Sequence, residues 1–275
     1  MSYAIVDSHV HYWEPSRPDR PWYPGGVDIG PPLSVEELLQ EAAAAGVERI
    51  VQVTPSIMGF DNRYAIEGAQ RHSDRVVGVI GRFDPLARDL PRRLAEFAAQ
   101  PKIVGLRITL FKEWSSWIRE GKLEELFDEA GKLGLRVQLY GPHQAREMTA
   151  AALRHPKTTF LIDHMALTRD DVAPFARWNE IVRMADVPNV YMKVSYFPEV
   201  SKRPFPFTDT AFYFQKMFER FGADRLIWGS NYPVSSKAST YAENVAYMRD
   251  TLPFLTETDK EKILGATLLR ALGVG

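Results

Sequence analysis

Short, nearly continuous apolar runs alternate with amphipathic stretches along the whole chain. The runs fall at 4–9, 49–54, 76–82, 103–109, 135–140, 159–163, 189–195 and 225–230, with "RIVQV", "VVGVIG" and "TFLI" as typical members. Helical periodicity fills the intervals near 34–46, 61–73, 88–99, 120–133, 143–154, 170–185 and 208–222, and returns near 240–252 and 257–272. Unbroken apolar runs are what parallel strands covered on both faces require. Eight strand–helix pairs in about 250 residues predict an α/β chain folded as a (β/α)8 TIM barrel, one domain over 1–275. A doubly wound open sheet is the rival architecture, but it calls for a glycine-rich phosphate loop after the first strand. "SHVHYWEP" stands there instead.

Two insertions break the rhythm, "PSRPDRPWYPGGVDIGPP" at 15–32 and "YFPEVSKRPFPF" at 196–207. Both follow strands and both are rich in proline and aromatic residues, so they are expected as fairly rigid walls or lids on the C-terminal face of the barrel. Composition narrows the partners. With 34 basic against 35 acidic side chains, the net charge of −1 gives no electrostatic case for nucleic acid or an anionic membrane surface. A small-molecule substrate is expected, and a homo-oligomer stays open. The chain has no cysteine, which excludes disulfides and thiolate metal sites. No basic segment leads an apolar stretch at the start, and no run approaches the ~18 apolar residues of a membrane-spanning helix. The expectation is a cytoplasmic protein.

Chemistry concentrates at strand ends. His9 and His11 end the first strand in "DSHVH", and residues one apart on a strand share a face, so both rings are expected in the barrel mouth. His164 follows "TFLID" at the end of the sixth strand and turns the pair into a potential three-nitrogen cluster, a common donor set for zinc and similar divalent ions. The plain alternative for His164 alone is a residue at the start of a helix.

"DSHVH", "IDHMA", "NVYMKVS" and "LIWGSNYP", in that order, resemble the amidohydrolase-related barrels, and within them the lactonase branch. The resemblance runs from Asp7 to the helix ending near Gly273. It implies hydrolysis of a lactone or related cyclic ester, with His9, His11 and His164 around the reacting centre. Those histidines either hold zinc or manganese or polarise the substrate with no metal. Family members ordinarily carry aspartate in the eighth-strand Trp-Gly-Ser-Asp pattern, as the base for the hydrolytic water; here the position is Asn231. An amide has no lone pair basic enough to take a proton near neutral pH. Either Asn231 is an engineered Asp-to-Asn change, or it is natural and the chain runs different chemistry, or the chain only binds. The expectation is slow or absent hydrolysis, with Asn231→Asp restoring it in the first case. A metal-dependent decarboxylase of the same superfamily and a non-catalytic ligand-binding barrel are the alternatives.

Further candidates follow from placement. Arg107, late in the fourth strand, suits bidentate binding of a carboxylate or lactone oxygens, or an ion pair with Asp84. Arg82 is a weaker candidate of the same kind. Lys193 ends the seventh strand and either polarises a carbonyl or pairs with Asp163 or Glu199. His143 follows Gly141-Pro142 as a pocket donor or a surface residue, and His72 and His155 read as solvated helix ends. Tyr140 stands with Gln138 where zinc-dependent relatives outside the branch have a strand-end histidine. Trp22 and Tyr196 belong to the aromatic load of the insertions, as a pocket roof or as loop packing.

Overall fold

The computed structural model describes residues 3–111 and 114–274. Eight parallel strands follow one another in sequence order around one sheet: β1 Val6–Val10, β2 Arg49–Val53, β3 Val76–Arg82, β4 Ile103–Thr109, β5 Arg136–Tyr140, β6 Phe160–Ile162, β7 Val190–Val194 and β8 Leu226–Trp228. Seven neighbouring pairs carry the ladder from β1 to β8. The seam between β1 and β8 closes at its C-terminal end, through a parallel bridge between Val10 and Tyr232. There His11 N–H donates to Tyr232 O at 2.9 Å, and Asn231 N–H donates to His9 O at 2.8 Å. The ring is the TIM barrel expected from the apolar rhythm.

Helices cover the outer face, and their starts obey local chemistry. Ser34, Thr240 and Thr256 each close a capping box with the acidic residue three positions on, satisfying N–H groups that the first turn leaves without partners. The helical stretch expected at 170–185 is shorter than its periodicity. Only Trp178–Arg183 forms an α-helix, because Pro174 disfavours the helical conformation of the residue before it. The last helix is interrupted by a wider π turn at Lys262–Ala266, which brings Gly265 against the backbone of Ala4; a Cβ there would lie 2.9 Å from Ala4 O. His155 is not solvated as expected but buried, with Nδ1 2.7 Å from Asp128 and Nε2 3.0 Å from Glu124. Among the described residues, no helix is long and apolar enough to cross a membrane.

Candidate active site

The site starts at the end of β1. His9 is fully buried, and its backbone N–H is held by the Asp7 carboxylate at 2.8 Å. His11 lies just past the strand, its ring edge-on to that of His9 with centroids 5.0 Å apart. His11 Nδ1 sits 2.6 Å from the carbonyl oxygen of Val53, at the end of β2. A carbonyl only accepts, so Nδ1 carries the proton and Nε2 keeps its lone pair. Burial, with help from the Arg107 charge, pushes the ring pKa down to about 3, so the imidazole is neutral in ordinary buffers.

At the end of β6 the chain takes an unusual turn. His164, Met165 and Ala166 are all left-handed, with φ of 53°, 56° and 56°, a conformation that costs energy for residues with a side chain. The turn stacks the His164 ring on Tyr196 at 3.7 Å and places Nδ1 2.7 Å from Ser195 Oγ. Burial depresses His164 well below the usual histidine range.

Asp163, one residue earlier, is the electrostatic hub. Its Oδ2 accepts from Arg107 Nε at 2.8 Å and from Gln138 Nε2 at 2.9 Å, and its Oδ1 lies 3.2 Å from His9 Nδ1 and 3.3 Å from Lys193 Nζ. Burial by itself would raise its pKa, but Lys193, His9 and Arg107 outweigh burial and hold it well below the carboxylate range. Burial pushes Lys193 down to about 8 against the pull of Asp163. The Lys193 ammonium donates to Ser8 O at 3.0 Å and Gln138 Oε1 at 2.9 Å, and lies 2.9 Å from His9 Nδ1.

Past β8, Asn231 is left-handed as well, with φ of 59°, which asparagine tolerates better than most residues. Its Nδ2 donates to Glu199 Oε1 at 3.1 Å. Glu199 belongs to the short helix Phe197–Val200 within the second insertion. Burial raises its carboxyl pKa to about 7.

Six of the residues singled out from sequence, His11, Arg107, Tyr140, His164, Tyr196 and Asn231, face one cavity of about 480 Å³ at the C-terminal mouth. The first insertion supplies part of its wall through Gly25, Val27 and Ile29, and Arg169 enters from the loop after β6. The other four lie elsewhere. His9 and Lys193 are fully buried in the layer beneath, around Asp163. Half-exposed His143 pairs with Asp171 at 3.1 Å. Trp22 donates from Nε1 to Glu14 O at 2.9 Å and packs near Trp13, Ile57 and Met58. Arg107 pairs with Asp163 rather than Asp84, and still reaches the cavity. Arg82 is buried behind it, with Nη1 3.4 Å from Thr109 Oγ1. Sequence reasoning gave no role to Ser195 or Arg169, and treated Asp163 and Glu199 only as pairing partners for Lys193.

His9, Asp163 and His164 bring ligand atoms within 4.8 Å of one another, a set that could hold a metal ion; His11 lies outside it. The charges around that set fit a tightly bound divalent ion poorly. Asp163 Oδ2 is already taken by Arg107 and Gln138. Asp163 Oδ1 and His9 Nε2 are buried with no hydrogen-bond partner among the described residues. The Lys193 ammonium, however, lies 3.3 Å from Oδ1 and 2.9 Å from His9 Nδ1, so an ion there would meet that charge.

The chain matches the family described as amidohydrolase over residues 6–274. It is 30% identical over 248 residues to an L-fucono-1,5-lactonase of Burkholderia ambifaria, covering 88% of this chain and 85% of that protein. It is 25% identical over 254 residues to a 4-sulfomuconolactone hydrolase of Rhizobium radiobacter, covering 86% of this chain and 79% of that one. Among solved structures, an amidohydrolase from Burkholderia multivorans with bound zinc superposes with a TM-score of 0.82 at 20% identity, over 99% of this chain and 100% of that one. At that identity the likeness speaks for the fold.

Proposed function

This chain belongs to the amidohydrolase family, and from that premise we propose that it hydrolyses a lactone or related cyclic ester in the barrel mouth. The observation that carries the reading is the convergence, on one cavity, of a guanidinium at Arg107, a tautomer-fixed lone pair at His11 Nε2 and the Asn231 amide. Two relatives whose names specify lactone substrates support it.

The residues divide the work as follows. Arg107 is anchored through Nε to Asp163, which leaves its outer N–H groups for the carbonyl oxygen and for the negative charge that grows there as water adds. Asn231 holds the water and cannot deprotonate it. His11 Nε2 takes the proton as the new C–O bond forms. The ring C–O bond then breaks, and the same proton passes to the departing alkoxide oxygen, leaving an open hydroxy acid. A ring with a pKa of about 3 is a weak base, so turnover is expected to be slow beside an enzyme that uses a carboxylate. Decisive would be a panel of five- and six-membered lactones with acid release, followed as alkali uptake at constant pH, as the readout. Ring opening by the unaltered chain and loss of at least about 100-fold in His11→Ala are expected. Full activity in His11→Ala would refute the assignment of the proton acceptor, and no ring opening at all would refute the reading.

A further inference from the structure

The Asn231 amide is the one part of its residue left free to turn. Its backbone is fixed on both sides, by its own N–H donating to His9 O at 2.8 Å and by its carbonyl accepting from Ser235 N–H at 3.0 Å. Facing it is Glu199, whose Oε1 accepts from Asn231 Nδ2 at 3.1 Å and whose Oε2 is buried with no hydrogen-bond partner among the described residues. An ionised carboxylate can only accept, so it must meet the NH2 end of the amide; a protonated carboxyl can donate, and then meets the oxygen end.

We propose that Glu199 is a positioning residue that sets which end of the Asn231 amide faces the cavity. Ionised, it holds Nδ2 and turns Oδ1 toward the bound water, where an acceptor can align an O–H bond and leave the oxygen lone pair free to attack. Protonated, it donates to Oδ1, the amide turns over, and an N–H of Nδ2 points at the water and occupies that lone pair. The first orientation supports attack and the second opposes it. The reacting role of that water rests on the lactonase reading; the orientation of the amide does not.

The switch lies in a useful range. Burial raises the Glu199 carboxyl to about 7, with Asn231 and then Arg169 opposing the rise. Tyr196, on the adjoining residues, is itself pushed well above the ordinary phenol range and stays neutral. Lys237, on the neighbouring turn Val234–Lys237, is exposed. Lys193 titrates separately, near 8.

Selective 15N-asparagine labelling reads the orientation directly, with the Asn231 side-chain signal identified by its loss in Asn231→Ala. Expected is a shift of that signal with a midpoint near 7 in the unaltered protein, absent in Glu199→Gln. In parallel, kcat/KM on a lactone should fall roughly tenfold on the acid side of that midpoint, and the fall should vanish in Glu199→Gln while any limb from Lys193 remains. A signal that does not titrate across neutral pH, or titrates alike in both proteins, overturns the proposal. If Glu199→Gln does not fold, Glu199→Asp keeps the charge with a shorter reach and should displace the midpoint; an unmoved midpoint is equally fatal. A protein that opens no lactone yet shows the Glu199-dependent signal would retire the lactonase reading and leave the amide switch standing.

Discussion

At position 231 an amide faces a buried carboxylate, and that pairing governs what an acid at 231 would do. In Asn231→Asp two carboxyl groups about 3 Å apart cannot both ionise, so Glu199 keeps its proton and donates it to the new carboxylate, which is a weaker base than a lone one. Exchanging the pair removes the conflict. The double variant Asn231→Asp with Glu199→Gln restores one carboxylate and one amide in reversed order, with the carboxylate now lining the cavity. Steady-state kinetics on a lactone should show the double variant at least about tenfold faster than Asn231→Asp, a large positive coupling; simple additivity would deny it. A His-x-His pair is a weak signal alone, and its place at a strand end is what aimed both rings at the barrel mouth. The structure puts His11 on the cavity and His9 in the buried layer beneath it. Glu199 was not legible as a site residue, because it lies in an insertion far along the chain and owes its chemistry to burial, which no local pattern reports. Asp163 stood next to His164 in plain view, yet its four partners come from β1, β4, β5 and β7, contacts that only barrel closure makes.

The strands match the apolar runs to within a residue or two, since a strand buried on both faces leaves an unambiguous signature. Helix lengths were less legible wherever proline or a wider turn intervened. What the runs could not convey is how closely β8 approaches β1. A Cβ on Gly229 would fall 2.6 Å from Ser8 Oγ and 2.9 Å from His9 Cβ, so only glycine allows this contact. Gly229→Ala is therefore expected to destabilise the fold by about 1–3 kcal/mol, seen as a lower midpoint in urea. Because His9 is one of the two displaced neighbours, the surviving folded protein should also lose activity. An unchanged midpoint with unchanged turnover would show that the seam yields more easily than its spacing implies.

Across the molecule, the layer beneath the cavity gathers the ammonium of Lys193 and the guanidinium of Arg107 around one carboxylate, Asp163. Adding a divalent ion to a set that already carries this positive charge is unfavourable. Lactone turnover should accordingly survive exhaustive dialysis against a chelator and gain nothing from added zinc or manganese, with metal content followed by elemental analysis. Loss on dialysis that zinc reverses would show that Lys193 moves aside for an ion. The barrel seam has a different kind of consequence. Asp7 receives the N–H of His9, the N–H of Ser230 at 3.0 Å and the hydroxyl of Tyr241 at 2.7 Å, so two of its three donors come from chain made more than two hundred residues later. During synthesis His11 can meet Val53 early and His9 can meet Asp163 and Lys193 later, but the Asp7 carboxylate must wait for two of its donors until the chain past the eighth strand emerges. The reactive centre is thus completed only when late-made chain arrives, and a nascent chain that stalls before Asn231 has no working site.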